Sequence, residues 1–327
     1  VGPTPEILGV GAGGLLQPLA EGLRMLAKEC VPAQPGSRGV QTVGAVVAFA
    51  SALLTWSIVP FGGVYTFGDT TLSLAVADTE WGFLLVGVAA SLGGLGALLA
   101  GGTALASSRI AGFTLVGGAS VGLALLGLAL SSATLRPVDI ALSQDASFEL
   151  VGVLSVFSPD PVNVPWLSWL QVPLWGVVLQ PLGFVAFTFG LAMLLRGGWT
   201  ASGEPEAANG LLRISHRVWL SGAAAWITTL YLGGWAIPFL PTETLISFVA
   251  AGFGTGFATG FVLLLHVLTF FAKLLVVLGF LILVSGSHPR ARPDQAMALG
   301  TGLILPLATL NALLTAAAVS VFAGDFG

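Results

Sequence analysis

Gly14-Leu15-Leu16-Gln17-Pro18-Leu19-Ala20-Glu21-Gly22-Leu23-Arg24-Met25-Leu26-Ala27-Lys28-Glu29 concentrates charge on one side of a short helix, in a chain that is otherwise greasy and almost uncharged. Leu16, Leu19, Leu23, Leu26 and Cys30 recur at steps of three and four, while Gln17, Glu21, Arg24 and Lys28 fall opposite them. This spacing predicts an amphipathic helix lying along an interface, one face in apolar surroundings and one in water or against a polar partner. Pro18 is tolerated in a first turn, where its missing N–H has no intrahelical acceptor to lose. Pro32, Pro35 and Gly36 then stop the helix and turn the chain away.

The interface is a membrane. Of 327 residues 55% are hydrophobic and only 8% charged, with a mean hydropathy of +0.96; a soluble domain carries about 25% charged residues. A formal charge of −4 argues against a nucleic-acid partner. One cysteine, Cys30, rules out a disulfide framework, a cysteine-ligated cluster or a C-x-x-C site within this chain. Gly9-x-Gly11-x-x-Gly14 matches a dinucleotide fingerprint as a string, but no strand or βαβ unit precedes it, and a glycine-rich loop is the better reading.

About 20 apolar residues cross a bilayer as a helix. Spans are expected at roughly 42–61, 82–106, 110–132, 174–196, 217–237, 260–285 and 300–323, seven in this chain. The expected fold is an all-α polytopic membrane protein: a loop and amphipathic surface helix over 1–40, then a transmembrane bundle over 41–327. Polar loops occupy 61–81 and 133–173, and the glycine-dense 245–259 reads as a re-entrant or interfacial piece. Gly93, Gly94, Gly96, Gly101, Gly117, Gly118 and Gly122 allow close helix packing in lipid. Arg24, Lys28, Arg38, Arg109, Arg196, Arg213, Arg217, Arg290 and Arg292 fall on one side of the bundle, which is therefore cytoplasmic or matrix. The opposite side is acidic, with Asp69, Asp78, Glu80, Asp139, Asp145, Glu149, Asp160, Glu243 and Asp325.

The order of residues says more than their periodicity. Gly14-Leu15-Leu16-Gln17-Pro18 with Glu21-Gly22, Arg24, Lys28-Glu29 and Pro32-Ala33 resembles the first cytosolic or matrix segment of the complex I membrane subunit called H in bacteria and 1 in mitochondria. The likeness continues in order: Trp56-Ser57-Ile58-Val59-Pro60-Phe61, Gln180-Pro181-Leu182-Gly183-Phe184, Glu204-Pro205-Glu206-Ala207, Leu230-Tyr231-Leu232-Gly233-Gly234-Trp235, Pro289-Arg290-Ala291-Arg292-Pro293-Asp294-Gln295-Ala296-Met297 and Leu305-Pro306-Leu307-Ala308-Thr309-Leu310-Asn311. The resemblance implies eight spans, the first upstream of Val1. It implies a subunit of NADH:quinone oxidoreductase that anchors the peripheral redox arm, helps form the quinone-access tunnel and contributes buried carboxylates to proton entry. It implies quinone as substrate, with flavin, nucleotide and iron–sulfur clusters on other subunits, in the bacterial cytoplasmic or mitochondrial inner membrane.

Three departures stand out. The family's Arg-Ala-x-x-Gln-x-x-Ser-Tyr-Glu run is absent between Arg109 and Gly122, its Ala-Glu-Thr-Asn-Arg run has become Leu195-Arg196-Gly197-Gly198-Trp199, and its Ala-Glu-Tyr has become Ala225-Trp226. None of the fifteen Asp and Glu falls inside an expected span, so the carboxylate proton entry is expected to be lost. The intramembrane ionisable candidates are His266 and Lys273, seven residues and two helical turns apart on one face. They read either as a proton relay, or as an interface histidine and a lysine that snorkels or pairs with a partner subunit. A quinone headgroup needs a polar mouth on an apolar tunnel; Glu204, Glu206, Arg213, Glu21, Arg24 and Lys28 are the candidates, and they equally describe a salt-linked docking surface. Arg290, Arg292 and Asp294 are assigned to subunit docking. Two other functions compete. A membrane anchor of an energy-converting hydrogenase or formate-hydrogen lyase would sit beside genes for a hydrogenase large subunit. A secondary transporter would show internal repeats with matched broken helices.

Overall fold

The computed structural model describes residues 38–67, 69–100, 104–149, 171–199, 210–287 and 293–324. The amphipathic helix expected within residues 1–40 precedes these. The architecture is all-α and polytopic. Long helices α1 (Arg38–Ser57), α2 (Gly82–Ala100) and α3 (Ala104–Ser132) are followed by the short α4 (Pro137–Ser143) and α5 (Gly176–Leu179). Then come α6 (Pro181–Trp199), α7 (Gly210–Tyr231), α8 (Thr242–Phe253), α9 (Thr255–Ser287), α10 (Pro293–Leu299), a π-helical turn at Gly300–Ile304, and α11 (Leu305–Gly324). Five helical runs are long and apolar enough to cross a membrane: Gly39–Ser57, Gly82–Ala100, Ile110–Ser132, Thr255–Leu283 and Asp294–Val321. Pro181–Leu195 is apolar but shorter. The span expected at 217–237 is a helix that starts seven residues earlier, at Gly210, and ends at Tyr231; Arg213, His216 and Arg217 lie in its opening turns, and it is buried throughout from Gly222.

The polar loops contain structure that apolar periodicity did not reveal. Strands β1 (Pro60–Phe67) and β2 (Thr70–Ala75) form an antiparallel hairpin, with Phe67 opposite Thr70 and a register shift between Pro60 and Val64. Its alternation is short and glycine-interrupted, too weak a signal beside the flanking spans. A second small ladder pairs β3 (Ser147–Glu149) with β4 (Gln171–Pro173). The piece at 245–259, expected to be re-entrant or interfacial, falls on a regular helix, α8, with none of its residues buried, and on the start of α9. Helix α8 ends where Gly254 takes φ +84°, and α9 begins at the next residue.

Small residues set the closest approaches. A Cβ on Gly96 would stand 2.5 Å from the Ala48 amide nitrogen, and one on Gly44 would stand 2.6 Å from that of Ala100, so α1 and α2 pack backbone to backbone. Gly117 faces the Gly190 carbonyl across α3 and α6 in the same way. Gly118 and Gly122, which were expected to serve packing, have open space where a Cβ would go. On the acidic side Arg136, before α4, joins Asp78, before α2, through two hydrogen bonds, one of them Nε to Oδ1 at 2.7 Å. This pair ties together two loops expected on the same side of the membrane.

Two outcomes follow. Gly96→Val inserts methyl groups against backbone and is expected to destabilise the protein by about 1–3 kcal/mol or more, while Gly118→Ala and Gly122→Ala leave thermal unfolding in detergent within about 0.5 kcal/mol of the native chain. The Arg136 hydrogen bond holds the Asp78 carboxyl below its ordinary range. The pair's contribution is therefore present above the ordinary carboxylate pKa and lost as pH falls through the lowered value; it is expected to be under about 1 kcal/mol, as the pair is partly solvated. Asp78→Asn should remove that acid-side slope from the melting curves.

Candidate functional site

In the outer half of the bundle, the end on the acidic side, three loops converge on one face of α9. The hairpin comes first. Phe61 lies between aromatic neighbours, 5.9 Å edge-on to Phe270 and stacked at 6.1 Å on both Trp56 and Phe271. Four residues further along β1, past the register shift, the Tyr65 phenol meets His266 Nδ1 at 2.6 Å. Both residues are buried, Tyr65 3% and His266 0% exposed. The phenol oxygen also accepts the Gly63 N–H at 3.4 Å. Burial pushes the Tyr65 phenol up to about 12, so it keeps its proton through the neutral range.

The second loop follows α7. Gly233 (φ +71°) and Gly234 (φ +52°) turn the chain sharply, a left-handed conformation that glycine adopts freely. That turn points three carbonyls at one spot. Lys273 Nζ donates to the carbonyls of Leu232 (2.6 Å), Gly234 (3.2 Å) and Ala236 (2.6 Å). An ammonium has three donors, and all three are used. The acceptors follow the C-terminus of α7, the negative end of its dipole, and the Trp175 ring lies 4.3 Å from Nζ.

The third loop is 144–146 with 173–176. Gln144, buried, accepts the N–H groups of Gly176 and Gly233 (both 3.0 Å) and donates to the Leu230 carbonyl at 2.9 Å. Asp145 beside it accepts the Thr242 N–H at 3.2 Å through Oδ2, at the N-terminus of α8. Asp145 Oδ1 and His266 Nε2 are buried atoms with no hydrogen-bond partner among the described residues.

Of the residues singled out in the sequence, His266 meets Tyr65, and Lys273, two turns along the same helix, meets the 232–236 carbonyls and the Trp175 ring. The Lys273 ammonium is held by backbone carbonyls of its own chain. Arg213 is half-buried in the first turn of α7, at the opposite end of that helix from the carbonyl turn, and Asp294 is exposed at the start of α10. Glu21, Arg24, Lys28, Glu204, Glu206, Arg290 and Arg292 lie outside the described residues. Tyr65 and Asp145 escaped sequence reading because they sit in loops. Tyr65 is one of only two tyrosines in the chain, in a hairpin flanked by glycines, and that was the available signal.

Elsewhere the buried side chains of the described residues are mainly apolar. A cleft lined by Gly93 and Gly94 of α2, Thr114 of α3, Leu191 and Leu194 of α6 and Trp219 of α7 has a volume of ≈ 20 Å³, room for about one water molecule and too small for a ring. Its indole N–H is already given to Ser51 Oγ at 3.0 Å. A separate polar knot joins α3, α6 and α11: Gln180 donates to the Gly127 carbonyl (3.0 Å) and Ser131 Oγ (2.9 Å), and accepts from Asn311 at 3.3 Å.

Comparison with known proteins extends over nearly the whole chain. A family model described as NADH dehydrogenase matches residues 2–197 and 208–316. The H subunit of the NADH-quinone oxidoreductase of Syntrophotalea carbinolica is 28% identical over 323 residues, covering 94% of this chain and 84% of its own length. H-type subunits of the same enzyme in Cytophaga hutchinsonii (27% identical, with 95% and 86% covered) and Syntrophobacter fumaroxidans (28% identical, with 94% and 83% covered) match over a similar extent.

Lys273→Met would leave three inward-facing carbonyls and remove the cation between them. A loss on the order of 3 kcal/mol or more is expected, measured as a lowered melting temperature in detergent. Lys273→Arg is expected to rescue it poorly, because a planar guanidinium does not match acceptors gathered around a point charge.

Proposed function

This chain belongs to the NADH dehydrogenase family, and on that premise we propose that it is a membrane-arm subunit of NADH:quinone oxidoreductase, complex I, which docks the peripheral arm and helps form the quinone-access tunnel. The observation that carries this reading is the family match, which runs through 305 of the 327 residues as the sum of 196 and 109. The relatives' names supply the reaction: electrons pass from NADH to quinone within the assembly, and this chain contributes membrane structure and not a complete active site. Flavin, nucleotide and iron–sulfur clusters belong to its partners.

Residues 1–40 form the inner-surface loop and amphipathic helix, and 41–327 the bundle. The basic side carries the docking surface, with Arg290, Arg292 and Asp294 meeting soluble subunits. Glu21, Arg24, Lys28, Glu204, Glu206 and Arg213 surround the mouth through which quinone reaches its reductant. The usual intramembrane carboxylate entry for protons is lost. What supports this is the position of the described acids, which lie in loops, short outer elements or the first turn of a helix, and the lining of the α2/α3/α6/α7 cleft, which offers one hydroxyl, one indole and no carboxylate. Among the described residues, His266 and Lys273 are the ionisable groups within the Thr255–Leu283 span; His266 is the relay candidate, and Lys273 is engaged by three carbonyls.

Gentle detergent extraction followed by mass spectrometry of the companions tests the assignment. Flavin- and cluster-bearing subunits together with antiporter-like membrane subunits are expected. Hydrogenase subunits in their place would move the chain to an energy-converting hydrogenase, and migration alone would favour a transporter. Proton-to-electron stoichiometry of the reconstituted complex is expected to fall below that of carboxylate-bearing relatives; an equal ratio would overturn the loss of proton entry through this chain.

A further inference from the structure

We propose that the π-helical turn Gly300–Ile304 is the seat of a neighbouring subunit's transmembrane helix, whose uncharged polar side chains donate hydrogen bonds to carbonyls that the turn leaves free in the hydrocarbon core. The inference rests on the reading of the chain as one membrane subunit among several. It assigns a partner surface within the last span, deeper in the membrane than Asp294 at the span's start.

In α10 and α11 each amide donates to the carbonyl four residues before it. The turn between them breaks that register: the Leu305 N–H reaches back five residues, to the Gly300 carbonyl. Such a shift leaves one carbonyl over. Pro306 follows at once, has no N–H, and leaves a second. Five carbonyls, from Gly300 to Ile304, therefore face three amides, those of Leu305, Leu307 and Ala308, and two are left without a donor from the helix. Leu305 takes Gly300, and Ala308 takes Ile304 by the four-residue rule of α11. Thr301, Gly302 and Leu303 then share the single amide of Leu307. The hydroxyls on this stretch are used elsewhere, Thr301 Oγ1 on the Met297 carbonyl and Thr309 Oγ1 on the Leu305 carbonyl, both at 2.9 Å. The cause is local, since a proline ring crowds the carbonyl four residues back, here that of Gly302, and the wider turn relieves the clash.

The three residues that share one amide are on the outward side. Gly300 lies against Met193 of α6 and Val116 of α3, and Ile304, Ala308 and Asn311 continue that inward face, all buried. Thr301, Gly302 and Leu303 are exposed, and a Cβ on Gly302 would meet nothing within 4 Å. The span runs Asp294–Val321, and among the described residues it is the least buried of the five long spans. At 1.5 Å per residue Gly302 lies about 12 Å from its start and about 28 Å from its end. Lipid tails offer no donor at that depth, and a carbonyl left unmet there is costly. A partner helix meets the requirement. Gly302 has no side chain to hold it off, so its backbone approaches closely. A Ser, Thr, Asn or Gln on it donates to the free carbonyls without bringing a charge into lipid.

The test uses the assembled complex in native membranes, with the photoreactive residue p-benzoylphenylalanine replacing Leu303. Illumination is expected to join the chain to one other membrane subunit, at a transmembrane helix that carries an uncharged donor within one turn of the adduct. Adducts to lipid alone, to a second copy of this chain, or to a helix face without a donor would overturn the proposal and leave the subunit assignment standing. G302L is the second arm. The chain itself has room for the larger side chain, and a closely packed partner helix does not, so the crosslinked subunit is expected to be lost from the purified complex. A G302L complex of native composition would overturn the proposal. Should the G302L chain fail to accumulate, the crosslink decides alone. Absence of NADH-quinone oxidoreductase subunits beside the chain would instead defeat the subunit assignment, and is seen in the composition of the unmodified complex before any crosslinker is introduced.

Discussion

A charge in a bilayer must be neutralised and hydrogen-bonded by the protein itself, because lipid supplies neither. Lys273 meets that constraint through the backbone. Its three carbonyl partners exist only because Gly233 and Gly234 turn the chain left-handed straight after α7. That turn is held from the other side by Gln144, whose amide takes up the Gly233 N–H and the Leu230 carbonyl. Remove the cation and the turn loses its reason to point inward; remove the turn and the cation has no acceptors. The outer loops are thus built around an electrostatic requirement, with the hairpin and the start of α8 attached to the same cluster.

Among the described residues, the blocks at 56–61, 180–184, 230–235 and 305–311 that made the fold legible make polar contacts between elements. Trp56 donates to the Val218 carbonyl of α7 at 3.2 Å. Gln180 and Asn311, from two separate blocks, bond each other across α6 and α11, and Gly127 and Gly183 leave space for that amide. Leu230–Trp235 is the carbonyl turn. Polar side chains inside a bundle have few ways to be satisfied, so their neighbours are constrained and their local sequence is distinctive. The apolar spans were legible for the simpler reason that length and hydropathy decide them. Their ends were less so: α7 could not be bounded from hydropathy, because Arg213, His216 and Arg217 lie inside the helix and dilute its apolar signal.

The outer hairpin, Tyr65 and Asp145 were not legible, for a physical reason. Each acts through a contact distant in sequence, Tyr65 to His266 across 201 positions and Asp145 to Thr242 across 97. Periodicity reports which face of an element is buried, not what a loop meets. Glycine showed the same limit: Gly96 and Gly118 look alike in sequence, yet one meets a facing backbone and the other open space.

The position of the Lys273 cluster follows from its anchors, which are the turn that follows α7 and the loop that carries Trp175. Transfer across the membrane needs continuity to the basic side, and the described cleft on that path, between α2, α3, α6 and α7, has space for about one water and no carboxylate to carry a charge. A continuous wire between those four helices would therefore require them to separate, against backbone contacts such as that of Gly117 on α3 with the Gly190 carbonyl on α6. Without that separation the helices stay packed, and the Lys273 cation stays confined to the loop end of the bundle, held there by the 232–236 carbonyls.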